Sequence, residues 1–300
     1  MKTYNADQFV EFQLRNFNAD LGKHLKGDVI VIKSPIRFGL DDAVRLAIEA
    51  LFEKDNGDKK QKSKLIIILE TTGGYIEVVE RLYNVFRHHY KHVEFIIPNY
   101  AYSAGTVLAL SGDEIYMDYY SVLGPIDPQY EMEDGKFVPG LGYLQKFNEL
   151  IQKVNADTKN KTKAELAYLL KKFDPATLFH LEQARDHSIS LLETWLPKHK
   201  FKDWKITEKR KVKVTIADKK QRAKKIGETL SNAERWHSHG RGIGIRELTS
   251  NEIKLKIKNF GDDSKLNSLV RQYYDFLLDY GHKVGAKGGI IHTGLGLRRL

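Results

Sequence analysis

Residues 65–86 read LIIILETTGGYIEVVERLYNVF, and residues 93–129 read VEFIIPNYAYSAGTVLALSGDEIYMDYYSVLGPIDPQ. Each stretch opens with a short apolar run rich in β-branched residues, which is typical of strands buried on both faces. These runs are Leu65–Leu69 and Val93–Ile97. Apolar residues at helical spacing follow the first run, from Ile76 to Phe86. The pattern predicts an α/β protein with parallel strands.

A turn of small residues follows each of these two strands. Gly73-Gly74 allows a turn that ordinary residues cannot make. Ala101–Gly105 carries Ser103 into the apolar helix predicted at Thr106–Leu110. A serine between a strand and a helix is typical of a nucleophile elbow, where helix N–H groups favour negative charge. The strict G-x-S-x-G form is absent because position 101 is alanine, but we predict a nucleophilic Ser103.

Several motifs in this region resemble the Clp protease–crotonase superfamily. They are the double-glycine turn, the AYSAGT segment, LALSGDEIYM and LGPIDPQ. Within the superfamily they are most similar to the signal-peptide-peptidase (SppA-like) branch, in particular the serine dehydrogenase proteinase family. The similarity is dense from Asp28 to Gln129 and sparse afterwards, apart from His237–Ile243.

That resemblance implies a spiral of β-β-α units and a serine-type peptidase that assembles into a homo-oligomer. It also implies that Ser103 is the nucleophile and that the N–H groups of Gly74 and Ala104 form the oxyanion hole. No cofactor or metal is implied. The alternatives are a catalytically silent scaffold and, less favoured, a crotonase-like enzyme acting on an acyl thioester, since nothing marks an adenine-nucleotide site.

The base that activates the serine is left open by the sequence. The loop Leu123–Pro128, where a Clp protease has its catalytic histidine, has no histidine, and Asp127 there has a turn or orienting role. The signal-peptide peptidases use a lysine whose pKa is lowered by burial, and Lys146 and Lys153 lie in an apolar pattern at a suitable distance. His239 is the third candidate, with a structural turn as its alternative.

Composition narrows the classes of protein further. The 300 residues are 41% hydrophobic, enough for one large core or a core with a small appendage. Cysteine is absent, which excludes disulfides, thiolate metal sites and a cysteine nucleophile. The first residues lack the features of a signal peptide, and no apolar run is long enough to span a membrane. These features predict a soluble, cytoplasmic protein.

The net charge of +10 is concentrated in one segment. Residues 198–225 hold 13 Lys or Arg against three acidic residues, and the remainder of the chain is balanced at 36 against 36. We interpret this segment as a solvated loop and helix face. The alternative is a surface that binds nucleic acid or acidic lipid headgroups.

The alternation of strands and helices ends at Gln129, and the C-terminal half is predicted to be largely helical. We divide the chain into a Clp/crotonase-like catalytic core, residues 1–200, and a basic, mainly helical extension, residues 201–300. A short strand is possible at Val212–Ile216, and the glycine-rich stretch after Gly281 is predicted to be a frayed tail or an oligomer contact. Helices are predicted at 6–25, 40–52, 140–154, 163–173, 175–196, 218–232 and 264–280.

Overall fold

The structure, a computed structural model, describes residues 5–55, 61–131, 137–156, 174–207 and 211–300. The predicted helix at 163–173 lies outside these residues. The described helices are α1 (Ala6–Leu25), α2 (Leu40–Asp55), α3 (Ile76–His89), α4 (Ala104–Leu110), α5 (Gly140–Ala156), α6 (Pro175–Lys198), α7 (Ile216–Leu230), α8 (Ala233–Trp236), α9 (Ile245–Thr249) and α10 (Ser264–Lys283). The described strands are β1 (Asp28–Lys33), β2 (Lys62–Glu70), β3 (Tyr90–Ile96), β4 (Tyr100–Ala101), β5 (Glu114–Met117), β6 (Val122–Leu123), β7 (Gln129–Glu131), β8 (Phe137–Pro139), β9 (Lys258–Asn259), β10 (Ile290–Thr293) and β11 (Gly296–Arg299).

A seven-stranded sheet organises the molecule, in the order β11-β10-β1-β2-β3-β5-β9. The strands from β1 to β9 in this order are parallel, and β10 and β11 are antiparallel to their neighbours. Alternate residues of each strand enter two separate cores. Ile30 and Ile32 of β1 pack toward the core that includes α2, α3 and α4, whereas Val29 and Val31 pack toward α1 and α10. This burial on both faces explains the continuous apolar runs, and the predicted α/β class is confirmed.

A second, shorter strand segment follows each main strand before the next helix begins. Ile36, after β1, bridges Gly74 after β2, and Thr71 in turn bridges Ala101. Strand β4 then pairs in parallel with β6, which follows β5. Main strand, short strand and helix therefore repeat along the chain, as the predicted β-β-α units require. The arrangement brings the turns after β2, β3 and β5 side by side at one edge of the sheet.

The prediction of a frayed glycine-rich tail after Gly281 is wrong. Residues 290–293 and 296–299 form a hairpin, and β10 pairs with β1 from Ile30↔Thr293 to Lys33↔Ile290. The apolar Ile290 and Ile291 are buried, which stabilises the hairpin. Strands from both sides of residue 200 thus lie in one sheet, while the division into a core and an extension stays a prediction.

Two local expectations after residue 190 also need correction. Helix α6 continues through Pro197 to Lys198 instead of ending before the proline. Pro197 lies in the last turn and is buried. The segment at 212–216 forms only a bridge between Ile206 and Lys213, because Ile216 already begins α7 behind a Thr215 cap.

Candidate functional site

Ser103 lies at the turn between β4 and α4, where its backbone has an uncommon conformation. Its φ is 51° and its ψ is −119°, values that favour glycine over any residue with a side chain. Holding a serine there costs about 1–3 kcal/mol, and such strain clusters at functional sites. Ser103 is the N-cap of α4, yet its side chain makes no capping hydrogen bond. The predicted elbow geometry is therefore present, with the hydroxyl not engaged in capping its own helix.

The Gly73-Gly74 turn packs directly against this elbow. A Cβ atom on Gly73 would lie 2.9 Å from the Cβ of Ser103 and 3.4 Å from the nitrogen of Ala104. Gly74 has a φ of +146°, and a Cβ there would lie only 2.1 Å from the carbonyl oxygen of Ile36. Only glycine fits at position 74. A Cβ there would clash with the backbone of Ile36, and a φ of +146° is unfavourable for every residue that has a side chain.

Two backbone N–H groups at the elbow are available to a ligand. The bridge to Ile36 uses the carbonyl of Gly73 and the N–H of Tyr75, so the N–H of Gly74 is directed away from Ile36. The N–H of Ala104 belongs to the first turn of α4, where no intrahelical acceptor exists. Among the described residues neither N–H has an acceptor. Unpaired donors on either side of a strained serine can stabilise an oxyanion.

The loop after β6 forms the other wall of the elbow. Gly124 donates its N–H to the carbonyl of Ala101, and a Cβ on it would lie 3.2 Å from the nitrogen of Ser103. Thr106 of α4 fixes this contact, since its hydroxyl donates to the carbonyl of Ala101 and accepts the N–H of Gly124 at 3.0 Å. The loop that carries Asp127 is thus attached to the helix that follows Ser103.

A histidine from the distant H-S-H-G turn joins this loop. Ile243 exchanges two backbone hydrogen bonds with Leu123, at 2.7 and 3.0 Å, which brings residues 239–243 alongside the loop. Nδ1 of His239 then lies 3.0 Å from Oδ1 of Asp127. Asp127 is buried, and the His239 side chain is 13% exposed. A carboxylate on Nδ1 fixes the ring with Nε2 as the proton acceptor, the arrangement of a general base.

Comparison with known proteins agrees with these features. Residues 57–138 match the ClpP-like SDH-type serine proteinases. The match covers the double-glycine turn, Ser103 and Asp127, and it confirms the resemblance noted in the sequence over that region. The finer assignment to a signal-peptide-peptidase branch stays a prediction.

The individual relatives either match only a short part of this chain or have low sequence identity to it. Two uncharacterized proteins of Methanocaldococcus jannaschii are 40% identical over 63 residues and 35% identical over 92 residues. These matches cover 21% and 31% of this chain, and 22% and 30% of the relatives' own length. A mutant form of the 1510-N membrane-bound stomatin-specific protease has 14% identity and a TM-score of 0.44, over 77% of each chain. The ClpP protease catalytic domain of Plasmodium falciparum has 12% identity and a TM-score of 0.30, over 41% of this chain and 61% of that one.

The two lysines predicted as bases, Lys146 and Lys153, both lie on α5. The side chain of Lys153 is exposed. A buried lysine does exist at Lys200, whose side chain is 2% exposed and whose pKa burial lowers to about 8. Its ammonium lies 3.8 Å from Glu114, the first residue of β5. Ser103 follows the other end of the parallel strands, so Lys200 lies at the opposite edge of the sheet.

The described residues contain no candidate metal centre. Within these ranges, no group of three or more His, Asp or Glu residues has the arrangement of a metal site. His239 contacts the carboxylate of Asp127, and His237 is exposed.

The sequence does not show the contact between His239 and Asp127, because the two residues lie 112 positions apart in the chain.

Substitution of Gly74 by alanine is expected to destabilise the fold and to distort the turn that carries Ser103. The new Cβ would clash with the Ile36 carbonyl at 2.1 Å, and the φ of +146° adds strain. We expect a loss of about 3 kcal/mol or more in the free energy of unfolding, from backbone strain and overpacking together. Urea unfolding measures this loss. Gly142→Ala is the matched control, because a Cβ on Gly142 of α5 meets nothing within 4 Å. An equal loss in both variants would contradict the explanation that the clash and the strained φ at position 74 cause the loss.

Proposed function

We propose that this chain is a serine peptidase whose nucleophile is Ser103. The observation that carries the proposal is the positive φ of Ser103 at a strand-to-helix turn, beside two N–H groups without acceptors among the described residues. A backbone that holds serine in a glycine conformation needs a compensating role, and exposure of a nucleophilic hydroxyl is such a role. The match of residues 57–138 to a family of serine proteinases supports it.

In the proposed reaction, the hydroxyl oxygen of Ser103 attacks the carbonyl carbon of a peptide bond. The N–H groups of Gly74 and Ala104 donate hydrogen bonds to the oxyanion that develops. His239 accepts the serine proton at Nε2 and returns it to the leaving amine, while Asp127 stabilises the imidazolium through Nδ1. A water molecule, deprotonated by the same histidine, then hydrolyses the acyl-enzyme and restores Ser103.

We place His239 ahead of the two lysines as the general base. Its support is the 3.0 Å contact between Nδ1 and the buried Asp127, in the loop that flanks the elbow. Lys153 is exposed, whereas a lysine that acts as a general base needs a buried side chain. Lys146 stays a candidate by its position on α5 alone. The order of the three residues differs from a simple Clp triad, since the histidine comes last in the chain and from a separate turn.

The remaining expectations about this protein are also proposals. A closed homo-oligomer formed through the helical half and an SppA-like subtype are predictions that rest on the resemblance, and a cytoplasmic location is a prediction that rests on the composition. No helix among the described residues is long and apolar enough to cross a membrane. The silent scaffold is the second candidate function, and it requires that Ser103 be unreactive.

Cleavage of an unfolded protein tests the peptidase proposal directly. We expect fluorescently labelled casein to be cut into peptides, and prior treatment with a fluorophosphonate to stop the cleavage. Acyl-coenzyme A offered in place of casein is the control for a crotonase-like activity. Fluorophosphonate labelling without casein cleavage contradicts a peptidase but retains a serine hydrolase. Absence of both labelling and cleavage supports the scaffold.

A further inference from the structure

The basic segment forms a surface on which cationic and aliphatic side chains are exposed together. Residues 205–207 and 212–214 approach as a hairpin, with the N–H of Val214 donating to Lys205 and that of Thr207 donating to Val212. The N-terminus of α7 follows directly, behind the Thr215 cap. We define the basic surface as the exposed side chains of Lys205, Lys211, Lys213, Lys220, Lys224 and Lys225.

Most of the positive charge of this surface has no close partner among the described residues. Lys225 acts on Glu252 through its charge, and Glu252 itself is paired with Arg235. Asp218, two residues before Lys220, is held by the hydroxyl and N–H of Thr215 in a capping box. An excess of cations in one segment attracts a polyanionic partner.

Exposed aliphatic residues stand between the lysines of this segment. Their presence bears on which class of partner the surface can bind. Ile206 is 58% exposed, and it pairs with Lys213 across the hairpin, so the two side chains share one face. Val212 and Ile216 are also exposed, but Val212 lies on the other face of the hairpin. Single-stranded nucleic acids are bound by cations together with stacking aromatic rings, whereas the exposed apolar side chain beside Lys213 is aliphatic. A bilayer surface accepts both, because lysines contact headgroup phosphates while aliphatic side chains enter the boundary with the acyl chains.

A groove of mixed charge lies beside the hairpin. Its volume is about 660 Å³, and it is lined by cations such as Lys213 and Arg222, by the carboxylates of Asp218 and Glu228, and by the ring of Trp204. Arg222 donates to the carbonyl oxygens of residues 252 and 253, which holds one wall in place. Trp204 is only partly buried, and amphipathic rings of this kind favour the membrane interface.

We propose that the basic surface docks the protein on an anionic lipid bilayer, through its six lysines and the exposed aliphatic side chain of Ile206. This proposal does not depend on the peptidase reaction. It concerns attachment to the bilayer surface, since no described helix is long and apolar enough to cross a membrane.

Co-sedimentation with vesicles tests the docking. We expect the full chain, and equally its Ser103→Ala variant, to bind vesicles of equal parts phosphatidylcholine and phosphatidylglycerol, and not vesicles of phosphatidylcholine alone. The double variant Lys213→Glu with Lys220→Glu should bind about tenfold more weakly or worse, because each reversal replaces attraction by repulsion. Lys265→Glu with Lys287→Glu, two exposed lysines elsewhere, changes the net charge equally and should bind nearly as well as the parent.

A second pair of variants separates the aliphatic contribution. Ile206→Ser should weaken vesicle binding about tenfold, whereas Phe179→Ser on α6, at a residue 63% exposed, should leave it unchanged. Equal losses in the basic-surface variant and its charge-matched control overturn the proposal, as does absence of binding to the anionic vesicles. Binding of duplex DNA by a protein that ignores the vesicles also overturns it and assigns the surface to nucleic acid.

Discussion

Ser103→Ala is expected to abolish reaction with a fluorophosphonate and hydrolysis of p-nitrophenyl acetate. Removal of the nucleophile of a serine hydrolase lowers the rate by a factor on the order of 10⁶. Mass spectrometry of the labelled parent protein should find the probe on Ser103 alone. The loss has a local cause, since Ser103 makes no capping hydrogen bond whose removal would unfold α4.

Two comparisons make this result interpretable. Ser190→Ala, at an exposed position on α6, is the matched control and should react at the parent rate. Ser103→Gly should be as inactive as Ser103→Ala but unfold at a higher temperature, because glycine relieves the strain of a φ of 51°. Undiminished labelling in either Ser103 variant means that another residue reacts, and the nucleophile is then wrongly assigned.

His239→Ala is expected to slow fluorophosphonate labelling by about 10²–10⁴, the usual contribution of a general base. The physical reason is that Ser103 reacts as a neutral hydroxyl unless a neighbouring group accepts its proton. Labelling rates at neutral pH measure the effect without a known natural substrate. His237→Ala is the control, because His237 is exposed two residues earlier in the same turn.

Variants of Asp127 and of the two candidate lysines complete this test. Asp127→Asn should also slow labelling, since an amide at that position no longer fixes the histidine with Nε2 unprotonated. Lys146→Ala and Lys153→Ala should react nearly as fast as the parent. A large loss in one of the lysine variants, together with a fast His239→Ala, assigns the proton transfer to that lysine and leaves Ser103 as the nucleophile.

Much of the fold could be predicted because its determinants are local. The apolar runs of β1, β2 and β3 are buried on both faces of a sheet, and such strands differ from helices in length and composition. Helix α1 has the predicted bounds, Ala6–Leu25, because its apolar stripe is long, and in the structure a capping box of Asn5 and Gln8 stabilises its start.

Only the part of the candidate site around Ser103 could be predicted from the sequence, for a physical reason. Small residues in a turn indicate an uncommon backbone conformation, and the turns that contain Gly74, Ser103 and Ala104 have this composition. The pairing of His239 with Asp127 depends on a bridge between Leu123 and Ile243, which are far apart in the chain and carry no polar signature. Neither the H-S-H-G turn nor the Asp127 loop shows its partner until the sheet has assembled. The C-terminal strands were missed likewise, because β10 acquires its place only by pairing with β1.

The pairing of β10 with β1 also sets the order in which the protein can be completed. Ile30 and Thr293 are neighbours across the sheet but roughly 260 residues apart in the chain, so the contact order of this edge is very high. During synthesis, β1, β2, β3 and β5 with the Ser103 elbow are made first, while the outer edge of β1 keeps its N–H and C=O groups unpaired. Such an edge is a template for pairing with another chain. The hairpin of residues 290–299 therefore covers this edge of β1, and a nascent chain interrupted before the hairpin is exposed to aggregation with the Ser103 elbow already built.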